Sequence, residues 1–187
     1  MDRRTEQTRS HILQTGRRVF LRRPAAHDQD EFLTLMRLSA DLHRGLVAPP
    51  LTPNQYAEYI KRCRRLDFAA YFVCDGKSGA IVGYADLSQI YRGGFQSAYL
   101  GYAVGAPYSG QGYMTEGLDL VLRDGFRVLK LHRIEANIQP SNAASIAIVK
   151  RLGFRLEGYS PRYLKVCGQW RDHERWVILA EEWRRNR

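Results

Sequence analysis

The stretch Tyr99–Gly117, YLGYAVGAPYSGQGYMTEG, decides the fold. Tyr99–Val104 is rich in aromatic and β-branched residues and has the length of one strand, and Gly105–Gly112 is a turn crowded with glycine, proline and serine. From Thr115 onward apolar side chains recur at Leu118, Val121, Leu122, Phe126 and Leu129, the i, i+3, i+4 spacing of one buried helical face. A strand, a glycine loop and a helix therefore meet here. The first N–H groups of such a helix lack intrahelical partners and its dipole is positive at that end, so a phosphate can be held by main chain alone. Gly110 and Gly112 lack a Cβ, which lets an anion approach closely. The same turn would also serve as a plain tight connection. It is neither a dinucleotide fingerprint, which needs GxGxxG, nor a Walker loop, which needs Gly-Lys-Ser/Thr.

Upstream of this stretch lies an antiparallel meander: Ala69–Cys74 as one strand, Asp75–Gly79 as a turn, Ala80–Ile90 as a second strand, and Tyr91–Phe95 as the turn into Tyr99. Before the meander, Val19–Leu21 reads as a short strand. Asp28 or Asp30 caps a helix carrying Phe32, Leu35, Met36, Leu38 and Leu42, and Thr52 or Asn54 starts a second through Tyr56, Tyr59, Ile60 and Cys63. Downstream, Ile134–Ile138 is a strand, and Ser141 or Asn142 caps a helix through Ile146, Val149 and Leu152 that stops at Gly153. Tyr159–Val166 and Trp176–Ala180 close the chain as two strands around the Gly168 turn. Two early helices, a meander and then β-α-β-α-β-β make an α+β, mixed α/β, single domain.

A chain of 187 residues has the size of one domain. Cys63, Cys74 and Cys167 are odd in number and far apart, without CxxC or histidine at ligand spacing, so they read as reduced thiols and no metal is expected. No apolar run approaches the roughly 20 residues of a membrane span, and the N-terminus lacks the apolar block of a signal peptide, so a cytoplasmic protein is expected. The formal net charge is +10. Seven arginines against Asp2 and Glu6 lie in residues 1–23, with further clusters at Lys61–Arg65 and Arg184–Arg187. Such an excess either steers the protein towards RNA, the ribosome or acidic polypeptides or is simply a solvated surface. Residues 1–16 lack sustained periodicity and are expected to be a mobile basic arm, with at most a short turn at His11–Leu13, ahead of a domain over 17–187. His27 and His43 read as surface or capping residues.

From about Arg17 to Trp183 the chain resembles the GNAT acetyltransferase superfamily. LGYAVGAPYSGQGYMTEGL is similar to that family's acetyl-coenzyme A signature, and NIQPSNAASIAIVKRLGF, about 30 residues on, to its second. YRGGFQSAYLGYAVG and YLKVCGQWRDH resemble the RimJ branch, the ribosomal-protein alanine N-terminal acetyltransferases. The resemblance implies a mostly antiparallel twisted sheet with splayed strands and flanking helices. It implies acetyl-CoA as co-substrate, with the main chain of Tyr102, Ala103 and Val104 on the pantetheine arm and that of Ser109, Gly110, Gln111, Gly112, Tyr113 and Met114 on the pyrophosphate. Asn142 would contact the cofactor, and Ser145 would stand near the thioester sulfur as the acid for the leaving thiolate. From the residues alone, Asn142 is equally a helix cap and Ser145 equally bonded to its own helix. Tyr99, Tyr102, Tyr108 and Tyr113 read as packing or turn residues.

Three positions depart from the family pattern. Pro107 stands where many members have Gln or Arg, Val149 where some place a tyrosine acid, and Arg162 where RimL-type enzymes carry a glutamate base. The base is left among Asp86, Glu135 and Asp172, each of which also reads as a salt-bridge partner. A peptide α-amine has a pKa near 8 and lysine near 10.4, so holding lysine neutral at pH 7 costs about 3 kcal/mol more, and without an obvious strong base the α-amine is the easier acceptor. A protein N-terminus, plausibly of a ribosomal protein, is thus the expected acceptor for a monomer or homodimer. A polyamine or aminoglycoside acceptor, or a coenzyme A-binding, ribosome-associated protein that turns nothing over, are the alternatives.

Overall fold

The computed structural model describes residues 12–185. Eight strands form one sheet in the order β1-β2-β3-β4-β5-β6-β8-β7. They are β1 (Ile12–Thr15), β2 (Val19–Arg22), β3 (Phe68–Asp75), β4 (Ile81–Tyr91), β5 (Ser97–Val104), β6 (Arg133–Ile138), β7 (Arg155–Val166) and β8 (Gln169–Leu179). Every neighbouring pair is antiparallel except β5 and β6. That parallel pair needs a crossover, which the helix following β5 supplies.

The helices are α1 (Gln29–Leu38), α2 (Ala40–His43), α3 (Pro53–Arg62), α4 (Tyr113–Arg123), α5 (Ala143–Arg151) and α6 (Ala180–Arg185). α1 and α3 cover one face of the sheet, where Phe32, Tyr56 and Tyr59 pack on Phe72 and Tyr84. The other face carries Leu118, Val121 and Leu122 of α4 against Tyr71, Val73 and Ala85, with Val149 of α5 and Trp183 of α6 in the same cluster. α4 lies close to β3 because Gly117 has no side chain: a Cβ there would sit 2.6 Å from Val73 Cγ1. Asp28 stands at the N-cap position of α1, but its side chain does not cap that helix as expected, being turned to partners upstream. Its two oxygens take a forked bond from the Arg22 guanidinium at 2.7 and 2.8 Å, and Oδ2 also accepts from the Ala25 N–H at 2.8 Å.

Thr52 caps α3 as expected, accepting from the Gln55 N–H at 3.3 Å, and Pro53 opens the helix. Four readings need correction. Ile12–Thr15, placed in the arm, pair with β2 as an edge strand, while residues 1–11 of that arm lie outside the described residues. The helix expected through Leu42 breaks at Ser39, whose hydroxyl donates to Leu35 O at 2.7 Å and accepts the Ala106 N–H at 2.8 Å. The face read through Leu129 leaves α-geometry at Asp124 for a π-turn over Asp124–Val128; Asp124 is buried and accepts from the Tyr71 hydroxyl at 2.7 Å. The last two strands are longer than read, β8 slots between β6 and β7, and Ala180 starts α6 rather than ending a strand.

Candidate active site

β5 carries the site because its two edges are treated differently. β4 pairs it through Val104, while β6 pairs it only at Ser97, Ala98 and Tyr99. Beyond Tyr99 the two strands splay, and the main-chain groups of Leu100–Val104 on that edge have no ladder partner. Tyr102 and Ser145 meet across this gap: the Tyr102 hydroxyl donates to Ser145 O at 3.3 Å. Burial pushes that phenol up to about 12. Asn142 caps α5, its Oδ1 accepting the Ser145 N–H at 3.1 Å, which leaves the amide nitrogen of its side chain for another partner. The Ser145 side chain also hydrogen-bonds the Tyr102 phenol, which opposes the upward push of burial.

At its end β5 turns through Ala106–Tyr108 into the glycine loop. Gly110 and Gly112 have φ of +73° and +82°, left-handed backbone that glycine adopts at no steric cost. Among the described residues the N–H groups of Gly110, Gln111, Gly112, Tyr113 and Met114 have no acceptor, and Gly112 begins α4 without a side-chain cap. The Ser109 N–H differs, donating to Ala106 O at 3.2 Å. Ala103 and Met114 bury their side chains in the core, so only their main chain faces the gap. Arg18, which nothing in the sequence marks, reaches the loop from the β1–β2 turn. It donates to Gln111 O at 3.0 Å and lies 4.2 Å from the centre of the Tyr113 ring.

Two of the three carboxylates left open as bases are tied down. Glu135 pairs with Arg133 at 2.8 Å. Asp172 accepts from the Arg162 N–H at 2.8 Å and from the Tyr159 hydroxyl, and these bonds hold it below the usual carboxylate range. Arg162 itself sits at φ +48°, where the β7–β8 register shifts. Asp86 is different. It is 7% exposed, accepts from the Tyr59 hydroxyl at 2.9 Å and lies 4.0 Å from Arg62. Burial pushes its carboxyl up to about 7 against the opposing pull of Tyr59 and Arg62. On the sheet it stands opposite Gly101, and side chains of directly opposed residues share a face. A Cβ on Gly101 would meet nothing within 4 Å, so open space lies over Gly101, across the strand pair from Asp86.

On this face α1, α2 and α3 enclose a groove of roughly 1000 Å³. His43 and Tyr59 line it nearest β5. His43, read from the sequence as a surface residue, is buried; its Nε2 lies 2.9 Å from Val104 O and its Nδ1 has no partner, and burial lowers its pKa. Val149 lies in the core. Among the described residues no three His, Cys, Asp or Glu side chains come together to hold a metal, and no helix is long and apolar enough to cross a membrane.

A sheet splayed at one parallel pair, with an amide-lined glycine loop at the opening, is the architecture of an acyl-coenzyme A-dependent transferase, and the chain belongs to the acetyltransferase (GNAT) domain family, which it matches over residues 18–155. Over 116 residues it is 40% identical to the [Ribosomal protein uS5]-alanine N-acetyltransferase of Escherichia coli (strain K12), covering 62% of this chain and 60% of that enzyme's length. It is 31% identical to the probable N-acetyltransferase YjcK of Bacillus subtilis (strain 168), covering 82% of this chain and 83% of that one. Among solved structures, Mycobacterium smegmatis RimJ in complex with CoA-disulfide superposes with a TM-score of 0.79 at 30% identity, covering 88% of this chain and 83% of that chain.

Proposed function

We propose that this protein transfers the acetyl group of acetyl-CoA to the N-terminal α-amine of a protein, by direct attack of the amine on the thioester. One observation carries the reading: β5 loses its β6 partner after Tyr99, and after one short turn over Ala106–Tyr108 come the unpaired amides of Gly110–Met114, so a free strand edge and a set of free amides stand in sequence for an extended arm ending in phosphates. The relatives named as acting on a ribosomal protein support a ribosomal acceptor.

The chain's own residues supply the chemistry. The free edge of Tyr102–Val104 positions the pantetheine and polarises the thioester carbonyl. Asp86 binds the incoming ammonium in the open space over Gly101 and takes one proton from it, becoming a neutral carboxyl. The freed nitrogen lone pair forms the bond to the carbonyl carbon as the carbon–sulfur bond breaks. The second nitrogen proton passes to the departing thiolate, with the Ser145 hydroxyl relaying it. Asp86 then returns its proton to water, so the net release is one proton.

The test is acetylation of short peptides with free N-termini by the wild type and Ser145→Ala. The expected result is turnover of peptides beginning with Ala or Ser, and a fall in kcat for the variant with coenzyme binding retained. Coenzyme binding without turnover of any amine would refute the reaction; wild-type kcat in Ser145→Ala would refute the acid assignment.

A further inference from the structure

The groove that leads to β5 has a charge pattern as well as a shape. Its lining includes four cationic side chains, Arg44, Lys61, Arg62 and Arg65, and one carboxylate, Glu58. Positions 58, 61, 62 and 65 follow the i, i+3, i+4, i+7 spacing of one stripe along α3 and the turn that extends it, which the Arg65 N–H continues by bonding Arg62 O at 3.1 Å. Arg44 stands on the α2 side. The floor is apolar, with Met36, Val47 and Leu51. Deep in the site the sign reverses at Asp86.

Three of the four cations have surface partners, and those partners are weak, while Arg62 lies 4.0 Å from Asp86. Arg44 pairs with Asp41, Lys61 with Glu58 at 2.6 Å and Arg65 with Asp67 at 2.7 Å, all on solvent-exposed side chains. Exposed pairs of this kind hold little free energy, so a carboxylate arriving in the groove can displace or join them. A polyamine meets the opposite situation, since each further ammonium would sit among like charges.

We propose that the acceptor is an N-terminal segment with acidic side chains shortly after its first residue: the α-ammonium goes to Asp86, and the following carboxylates lie along Arg62 and Arg65 with Arg44 opposite. This deepens the acetyl-transfer reading and rests on it. Spacing sets the register. Tyr59, which holds Asp86, and Arg65 are six residues apart, about 9 Å at helical rise, and an extended peptide covers that in about three residues. The acidic preference therefore falls at positions 3 and 4 of the acceptor.

Two readouts on the full chain test this. Peptides Ala-Ala-Glu-Glu and Ala-Ala-Lys-Lys, extended by one common neutral sequence and dye-labelled at the C-terminus, are titrated onto the coenzyme A-loaded protein and, separately, assayed for acetylation, with spermidine alongside. The expected result is about tenfold preference for the acidic peptide at low salt, shrinking as ionic strength rises, in binding and in kcat/KM alike. Lys61→Glu with Arg65→Glu should reverse it, so that the lysine peptide gains, which misfolding cannot imitate. Equal binding of the two peptides, a preference unmoved by the double substitution, or faster acetylation of spermidine than of the acidic peptide would overturn the inference. Acidic preference in binding with no acetylation of any amine would uphold the groove and refute the reaction.

Discussion

Asp86→Asn separates proton transfer from every other part of the site. An α-ammonium with a pKa near 8 gives its proton to a carboxyl at about 7 at a cost of about 1.4 kcal/mol. Giving it to an ordinary aspartate near 3.9 costs about 5.6 kcal/mol, so burial under Tyr59 brings Asp86 about 4 kcal/mol closer to the task. The groups facing it are Tyr59, Arg62 and Cys63 from α3 and Tyr84 from its own strand; Ala70 on β3 and Gly101 on β5 add no charge. Asparagine keeps the shape and still accepts from Tyr59 but takes no proton. The expected outcome, read from kcat/KM on an alanine peptide between pH 5.5 and 9, is a fall of about 10²-fold at pH 7. The acid limb should move from about 7, where Asp86 ionises, to the amine's own value near 8. Coenzyme affinity by calorimetry should not change. Linkage gives an independent sign: the folded carboxyl binds its proton more tightly than the unfolded one, so wild-type stability falls as pH rises from about 4 to about 7 and stays low above. The variant escapes that loss and should be more stable than wild type at pH 8, by as much as about 4 kcal/mol. Wild-type rate, an unmoved limb and unchanged stability in Asp86→Asn would refute the reasoning.

Arg22→Ala leaves Asp28 buried without its fork and should destabilise by about 3–5 kcal/mol, read from urea unfolding. Gly117→Val drives α4 off Val73 and should destabilise by at least 1–3 kcal/mol, with the loss largely recovered in Gly117→Val with Val73→Ala if the close approach is the cause. Arg18→Ala removes the cation beside Gln111 and Tyr113 and should raise the coenzyme dissociation constant several-fold, more at low salt than at high, while kcat at saturation stays within twofold.

The strand, glycine loop and helix of 99–126 were legible because three periodicities change within one short stretch, and the hairpins beside them because Gly79 and Asp75 punctuate them. The cap of α5 was legible only as Ser141 or Asn142, and the structure makes it Asn142. What stayed hidden depends on partners distant in sequence. Ile12–Thr15 is too short to show alternation and is a strand because β2 offers it an edge. The π-turn follows from burying Asp124 against Tyr71, more than 50 residues away. The place of β8 between β6 and β7 leaves no mark on either strand: β6 alternates Ile134, Ala136 and Ile138 with polar residues whichever strand lies beside it, and β7 begins with the ion-paired Arg155 and Glu157. The same limit applied to the site. Asp86, Glu135 and Asp172 look alike as letters, and only their neighbours separate a buried carboxyl under a tyrosine from one paired with Arg133 and one held by hydrogen bonds from Tyr159 and the Arg162 main chain. Arg18 and His43 carry no local pattern.

Ser39 couples the two binding regions proposed for this protein. Its hydroxyl ties the break between α1 and α2 to the Ala106 N–H, and His43 four residues on holds Val104 O, so the wall of the proposed acceptor groove is fastened to the strand and loop proposed to receive the coenzyme. Any ordering of that loop by one ligand is inherited by the wall that meets the other, and linkage requires the favour to be returned in equal measure. Under the proposed reaction the coupling works equally in both directions, so whatever the coenzyme does to acceptor affinity the acceptor does to coenzyme affinity, through two hydrogen bonds on a helix break.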